Sequence, residues 1–323
     1  MKGFQKIISL LPSATEIIYC LDLEERLKGV THTCTFPSDA LNKPKIITPS
    51  FDINKFDSLE IDKKIKQLAL DKEQIFILDS IKIKEIQPDL VISQNTCEVC
   101  APFQREIQQI SSILGYTPQN LDLSPKNMDE ILQSILTIGN QIGNLEKALI
   151  KVNELTGRIN FIKKTIEEYY KNNKKIQKPR VICLEWLSPF YLAGHWVPEM
   201  VEIAGGSNII GKAGSSSKPI TIDTIMNFDP DKIIIIPCGF DLERTSKESV
   251  ILNNIDEWKS LKAVKADEVY MLDANSYFSK PSPLVIDGIE IVAKIFYPDL
   301  FNDLAIPKDA YKKFNIRSYP LIR

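Results

Sequence analysis

The stretch Asn144 to Lys174 constrains this chain more than any other, because it reads as one uninterrupted helix. Leu145, Ala148, Leu149, Val152, Leu155, Ile159, Ile162, Ile166 and Tyr169 recur at steps of three and four, which puts them in one stripe on a 3.6-residue helix. Lys, Glu, Asn and Arg fill the opposite face. At 1.5 Å per residue, roughly thirty residues span about 45 Å, more than one small α/β lobe needs to cover its sheet. Gly139 and Gly143 separate this helix from an earlier one that Ser124 and Pro125 open as N-cap and first helical residue. Gly157 weakens the middle by about 1 kcal/mol. The pattern predicts two α/β halves joined by a backbone helix: an N-terminal lobe over 1–143, the helix over 144–174, a C-terminal lobe over 175–300 and an extension over 301–323. A surface helix within one continuous domain is the alternative.

A chain of 323 residues, 44% hydrophobic and 25% charged, can bury two separate cores. A net charge of −2 gives no general attraction to phosphate backbones or anionic membranes, so nucleic acid is not an expected partner. No stretch is long and apolar enough to span a bilayer. The start, Met1 to Lys6, runs directly into the apolar Ile7 to Leu11. That leaves no room for a secretory leader and gives a cytoplasmic expectation, or an extracytoplasmic one if a leader was removed. Six sparse cysteines fit a reducing compartment. The expected oligomeric state is a monomer.

In the first half, the buried-strand run Ile7 to Leu11 leads into Pro12-Ser13-Ala14-Thr15-Glu16, where Ser13 and Glu16 form a capping box in sequence. Leu27 to Thr31 reads as a strand delivering His32, Cys34, Phe36 and Pro37 into a loop. Leu90 to Ser93 is a further strand, followed by Cys97-Glu98-Val99-Cys100. In the second half, Val181 to Leu184 restarts the pattern. The loop read behind it runs from Glu185 to Trp196 and carries Trp186, Phe190 and His195, the second of two histidines. Gln87-Pro88-Asp89-Leu90-Val91-Ile92 and Asp229-Pro230-Asp231-Lys232-Ile233-Ile234 repeat one phrase in the two halves. Alternating strands and helices imply largely parallel sheets, which hold ligands at the carboxyl ends of their strands. By that rule His32, Cys97, Cys100, His195, Trp196, Tyr277 and Phe278 lie on loops at the binding edges, with Pro12 and Ser13 at a helix start on such an edge and Trp186 in the same aromatic loop as His195. Those edges can face one another across a cleft.

Several segments together resemble the metal-chelate class of ABC-transporter solute-binding proteins, and most closely its cobalamin-binding branch. They are Ser9 to Glu16, Gly29 to His32, Phe36-Pro37, Pro88 to Ile92, Cys97 to Ala101, Gly194 to Met200, Ala204-Gly205-Gly206 and Phe278 to Pro283. The resemblance covers residues 5 to 297. It implies two Rossmann-like lobes on one rigid helix and non-catalytic binding of a corrinoid against aromatic side chains. Phe36, Phe190, Tyr277 and Phe278 match the family's ligand aromatics. Ser276 and Lys280 stand where cobalamin binders carry an acid and an arginine. Members that dock to a permease carry an acid on each lobe, and at those positions this chain has Ile81 and Asp223. That departure gives an intracellular corrinoid-handling role a place beside uptake.

Other readings stay open. A ferric siderophore or haem carrier would need cations, for which Lys212, Lys218, Arg244 and Lys280 are available. His32, Cys34, Cys97 and Cys100 supply enough N and S donors for tetrahedral zinc, while loop packing or an oxidisable pair is the simpler reading of Cys97 and Cys100 and a redox dithiol a further one. A thiol- or metal-dependent enzyme using that pair is the reading from another class. Against it, no nucleophile elbow, phosphate loop or His-Glu-x-x-His motif is present. Either histidine could ligate the metal of a bound chelate.

Overall fold

The computed structural model describes residues 3–71, 73–94, 104–207 and 210–315, with backbone alone at 54 and 104. The chain forms two compact α/β units, Met1–Pro125 with Asp129–Glu154, and Lys126–Met128 with Leu155–Arg323. The long helix is continuous over Leu145–Asn172, running through Gly157, and the division between units falls inside it. Ala148, Leu155, Ile159, Ile162 and Ile166 of its stripe are buried, whereas Leu145 and Leu149 are exposed. Arg158 leaves the stripe to donate to both carboxylate oxygens of Glu290, at 2.8 and 2.6 Å, and to Asp287 at 2.5 Å.

The first unit holds strands β1 (Ile7–Ser9), β2 (Leu27–Thr31), β3 (Lys45–Pro49), β4 (Phe76–Leu78), β5 (Leu90–Ser93) and β6 (Gln119–Asp122) in the order β4-β3-β2-β1-β5-β6. All pairings are parallel except that of β3 with the edge strand β4. β1 is central and fully buried, which is why its run carries no polar alternation. Strand order reverses at β1, so the carboxyl ends of β1 and β5 flank the crevice where open α/β sheets bind ligands. The helix Pro12–Cys20 begins there with Pro12 in its first turn and Leu11 as an N-cap that makes no side-chain bond. Ser13 thus lies inside the helix, and the expected capping box does not form: the fixed φ of Pro12 starts the helix two residues early. The next opening also shifts. The helix Met128–Ile142 starts after Ser124 and Pro125, and the Ser124 hydroxyl donates instead to Asp122 at 2.7 Å.

The second unit holds β7 (Val181–Leu187), β8 (Phe190–Leu192), β9 (Lys218–Pro219), β10 (Lys232–Ile235), β11 (Val269–Leu272) and β12 (Tyr311–Lys313) in the order β12-β11-β10-β7-β8-β9. β11, β10 and β7 are parallel, while β8, β9 and β12 join antiparallel. Its core packs Ile182, Leu184, Leu187, Phe190, Leu192, Trp258, Met271 and Phe314. β12 and the buried Phe301 and Phe314 make residues 301–315 part of this unit, not an extension of it. The tail was hard to read because a three-residue edge strand has too few residues for alternation to show.

The phrase repeated in sequence has one structural meaning in both units. The helices Ser80–Ile86 and Ile222–Phe228 are N-capped by the side chains of Asp79 and Thr221 and end at Gln87 and Asp229 in the left-handed conformation. A proline follows, and then an aspartate whose carboxylate accepts backbone N–H groups beside the first strand of its own unit. Asp89 accepts from Gln5 and Lys6 at 2.9 and 3.0 Å, and Asp231 from Arg180 at 2.8 Å.

Candidate functional site

In the second unit the stretch expected as a loop is a β-hairpin, and its pairing register decides which aromatics reach the surface. Leu184 pairs with Leu192 and Trp186 with Tyr191, so Glu185 is an extra residue on β7, a β-bulge. Leu184 packs into the core, and simple alternation would send Trp186 after it. The bulge turns Trp186 to the other face and returns Leu187 and Phe190 to the core. Phe190 is 8% exposed and stacks on Trp258, with ring centroids 6.2 Å apart. The sequence reading placed Phe190 among the ligand aromatics; the structure places it in the core.

Trp186 instead meets Phe240, 5.3 Å between centroids, and the Arg244 guanidinium lies 3.9 Å above the Phe240 ring. Phe240 stands on the turn after β10, which is tied to β7 by Cys238 N–H donating to Glu185 at 3.0 Å. The segment after β11 joins the same edge. Asn275 N–H donates to the Phe240 carbonyl at 2.9 Å, and Gly239 N–H to the Ser279 hydroxyl at 2.9 Å. The helix Ala274–Tyr277 is capped by Asp273, which accepts from both the N–H and the hydroxyl of Ser276. Where the resembled binders carry an acid, Ser276 is thus committed to a helix cap.

Trp196 is 7% exposed, and its indole N–H donates to the Phe278 carbonyl at 2.9 Å. Phe278 is 3% exposed and Lys280 6%, so both lie beneath the surface, whereas Tyr277 is half-buried. Burial, aided by Asp273 and Asp287, pushes the Tyr277 hydroxyl up, leaving it a neutral donor at physiological pH. His195 sits between the hairpin and Trp196, its ring 5.7 Å from the indole. Its backbone is left-handed, with φ +53°. Two hydrogen bonds hold it there, His195 N–H to Ser215 at 2.6 Å and Gly214 N–H to His195 at 2.8 Å. Gly194 lets this loop approach: a Cβ there would lie 2.5 Å from both Ser215 O and Ser217 N. Burial, with the Lys126 ammonium behind it, lowers the His195 pKa and keeps the ring neutral.

In the first unit Pro12 and Ser13 lie at the β1 end of the sheet crevice, with Ser13 buried. His32 leaves β2 with its Nδ1 3.1 Å from the Thr31 hydroxyl and its ring 6.3 Å from Phe76. Its pKa is also lowered, chiefly by burial. Phe36 is 49% exposed. Cys34 is buried, its Sγ 3.1 Å from the Thr15 hydroxyl. Cys97 and Cys100 lie outside the described residues, and among the described residues no group of three or more His, Cys, Asp or Glu side chains could hold a metal. Phe240, Ser279 and the stacking of Arg244 were missed by sequence reasoning. Phe240 and Ser279 fall outside regular elements and Arg244 on a seven-residue helix too short for periodicity to show, and only the Pro237-Cys238-Gly239 punctuation after a strand hinted at that edge.

The profile of the periplasmic binding protein family matches residues 7–276. An uncharacterized ABC transporter substrate-binding lipoprotein of Bacillus subtilis is 26% identical over 93% of this chain and 82% of its own. The vitamin B12-binding protein of Vibrio cholerae is 23% identical over 89% of this chain and 87% of its own. Among solved structures, a periplasmic heme-binding protein of Pseudomonas aeruginosa superimposes with a TM-score of 0.72 at 16% identity, covering 97% of this chain and 99% of that one. The periplasmic vitamin B12-binding protein of Vibrio cholerae superimposes with a TM-score of 0.63 at 22% identity, covering 91% and 97%. The match across both units, with the two-unit α/β architecture behind it, shows that this chain belongs to the periplasmic binding protein family, as a non-catalytic solute-binding protein of ABC-type uptake.

Proposed function

We propose that the chain binds cobalamin or a related corrinoid and presents it to an ABC permease on the extracytoplasmic side of a membrane. The observation that carries the ligand is the aromatic edge of the second unit. Trp186 and, on the adjoining segment, Tyr277 are both partly exposed and offer flat apolar faces that suit a macrocycle, with the buried Phe240 backing Trp186. Phe36, 49% exposed on the first unit, is an aromatic with a face open to a ligand there. Trp196 and Phe278 act from beneath as support. The Arg244 guanidinium is spread over Phe240 and Lys280 is buried, which matches a guest with a neutral amide rim better than one with several carboxylates. The likeness to the Vibrio cholerae vitamin B12-binding protein supports the same choice.

Ferric haem is the second reading. Lys126, whose charge is felt at His195, would pair with a propionate, and the Pseudomonas aeruginosa likeness favours it. Relatives described as a lipoprotein and as periplasmic support the extracytoplasmic side over the cytoplasmic expectation. Asp223 and Ile81 are both exposed at the two docking positions, so the permease contact would use an acid on one unit and an apolar side chain on the other. The visible spectrum of protein purified from cells supplied with cobalamin tests the ligand. Corrinoid bands in near-equal amount to protein support it, and a haem spectrum replaces it with the second reading.

A further inference from the structure

We propose that His195 is the second unit's metal-coordinating side chain, donating an imidazole nitrogen to the metal centre of a bound planar chelate. The proposal rests on the reading of this chain as a chelate binder, and it singles out one of two histidines. Three observations converge on His195. Its left-handed backbone is a conformation that non-glycine residues adopt uncommonly and that persists where the surroundings impose it, as Ser215 and Gly214 do here. Neither ring nitrogen has a hydrogen-bond partner among the described residues, although the ring is largely withdrawn from solvent. The next residue, Trp196, is fixed through its indole N–H to the Phe278 carbonyl, which joins the His195 loop to the segment carrying Tyr277.

His32 differs on the second point, since its Nδ1 is engaged by the Thr31 hydroxyl. A strained backbone that presents an unengaged, neutral imidazole beside the Trp196 indole has the chemistry of a donor to borderline metal ions such as cobalt or iron. The step is a ligand exchange. The nitrogen lone pair forms the new metal–nitrogen bond and a metal-bound water leaves, with no change of oxidation state and no proton released, because the ring is already neutral.

The test uses the full chain with three probes: aquocobalamin, cyanocobalamin and ferric protoporphyrin IX. The variant is His195→Asn, since asparagine tolerates the left-handed conformation and keeps the loop in place. The expected result is a change in the visible bands of aquocobalamin or ferric protoporphyrin with the unaltered protein. In His195→Asn that change is lost and affinity falls about tenfold, while the thermal midpoint is unchanged. In His195→Gly, free imidazole is expected to restore the spectrum. If cyanocobalamin or ferric protoporphyrin binds by calorimetry but neither aquocobalamin nor ferric protoporphyrin gives a His195-dependent spectral change, the coordination is overturned and the binding function stands. If none of the three probes binds, both fall.

Discussion

The two units repeat one scaffold phrase, a short capped helix, a left-handed residue, a proline and an anchoring aspartate, yet they finish their sheets differently. In the first, β1 is flanked by parallel strands on both sides, which leaves a crevice at the reversal of strand order. In the second, the place of β5 and β6 is taken by an antiparallel hairpin whose bulge pushes Trp186 out of the core. The histidines follow suit. His32 stands just past the end of β2, tethered to its neighbour Thr31, whereas His195 sits in a strained loop with an unengaged ring. The contrast teaches that related frameworks can divide labour, one edge supplying a generic crevice and the other a shaped aromatic surface.

The sharpest way to break that contrast is to exchange expectations for the phenylalanines. Phe190→Ala should destabilise the second unit by about 3–5 kcal/mol in urea unfolding, because it empties a core stack on Trp258. Phe36→Ala, at a half-exposed site, should change stability by less than about 0.5 kcal/mol and register only in ligand affinity. Equal destabilisation by the two would remove the distinction. Next in size, Trp186→Ala should weaken ligand binding by about thirtyfold, roughly 2 kcal/mol, in a calorimetric titration, with a much smaller change in stability. An unchanged affinity would show that the bulge serves packing alone. Thr31→Val should cost about 1 kcal/mol of stability in urea unfolding through the lost contact with His32, leaving affinity unaltered.

The smallest effect is in pH. Both histidines have folded pKa values below their unfolded value of about 6.5, so the unfolded chain takes up protons first as pH falls. Stability should therefore decline as pH drops through about 6.5 toward the folded values, and binding at His195 should weaken over the same interval. Replacing both histidines with glutamine should flatten the part of a thermal-midpoint profile that lies between pH 7 and 5.

Much of the framework was legible because it rests on periodicity. The stripe from Leu145 to Tyr169 gave the long helix, and the Pro-Asp phrase gave a unit-level repeat. The site was harder to read, since its decisive feature is a single inserted residue in a register. Nothing in Leu184-Glu185-Trp186-Leu187 marks Glu185 as extra, and strict alternation sends Trp186 inward. Phe190 looked available because the resemblance matched it to a ligand aromatic in the stretch read as a loop, whereas its pairing with Leu187 makes it a core residue. Phe240 meets Trp186, and Arg244 meets Phe240, only through tertiary contact.

Calorimetric titration of the full chain with cyanocobalamin tests the central claim most directly. A saturable heat with about one ligand per chain and a dissociation constant at or below about 1 μM, some 8 kcal/mol of binding, is the predicted result. No heat with cyanocobalamin under conditions where ferric protoporphyrin IX saturates the protein would contradict it.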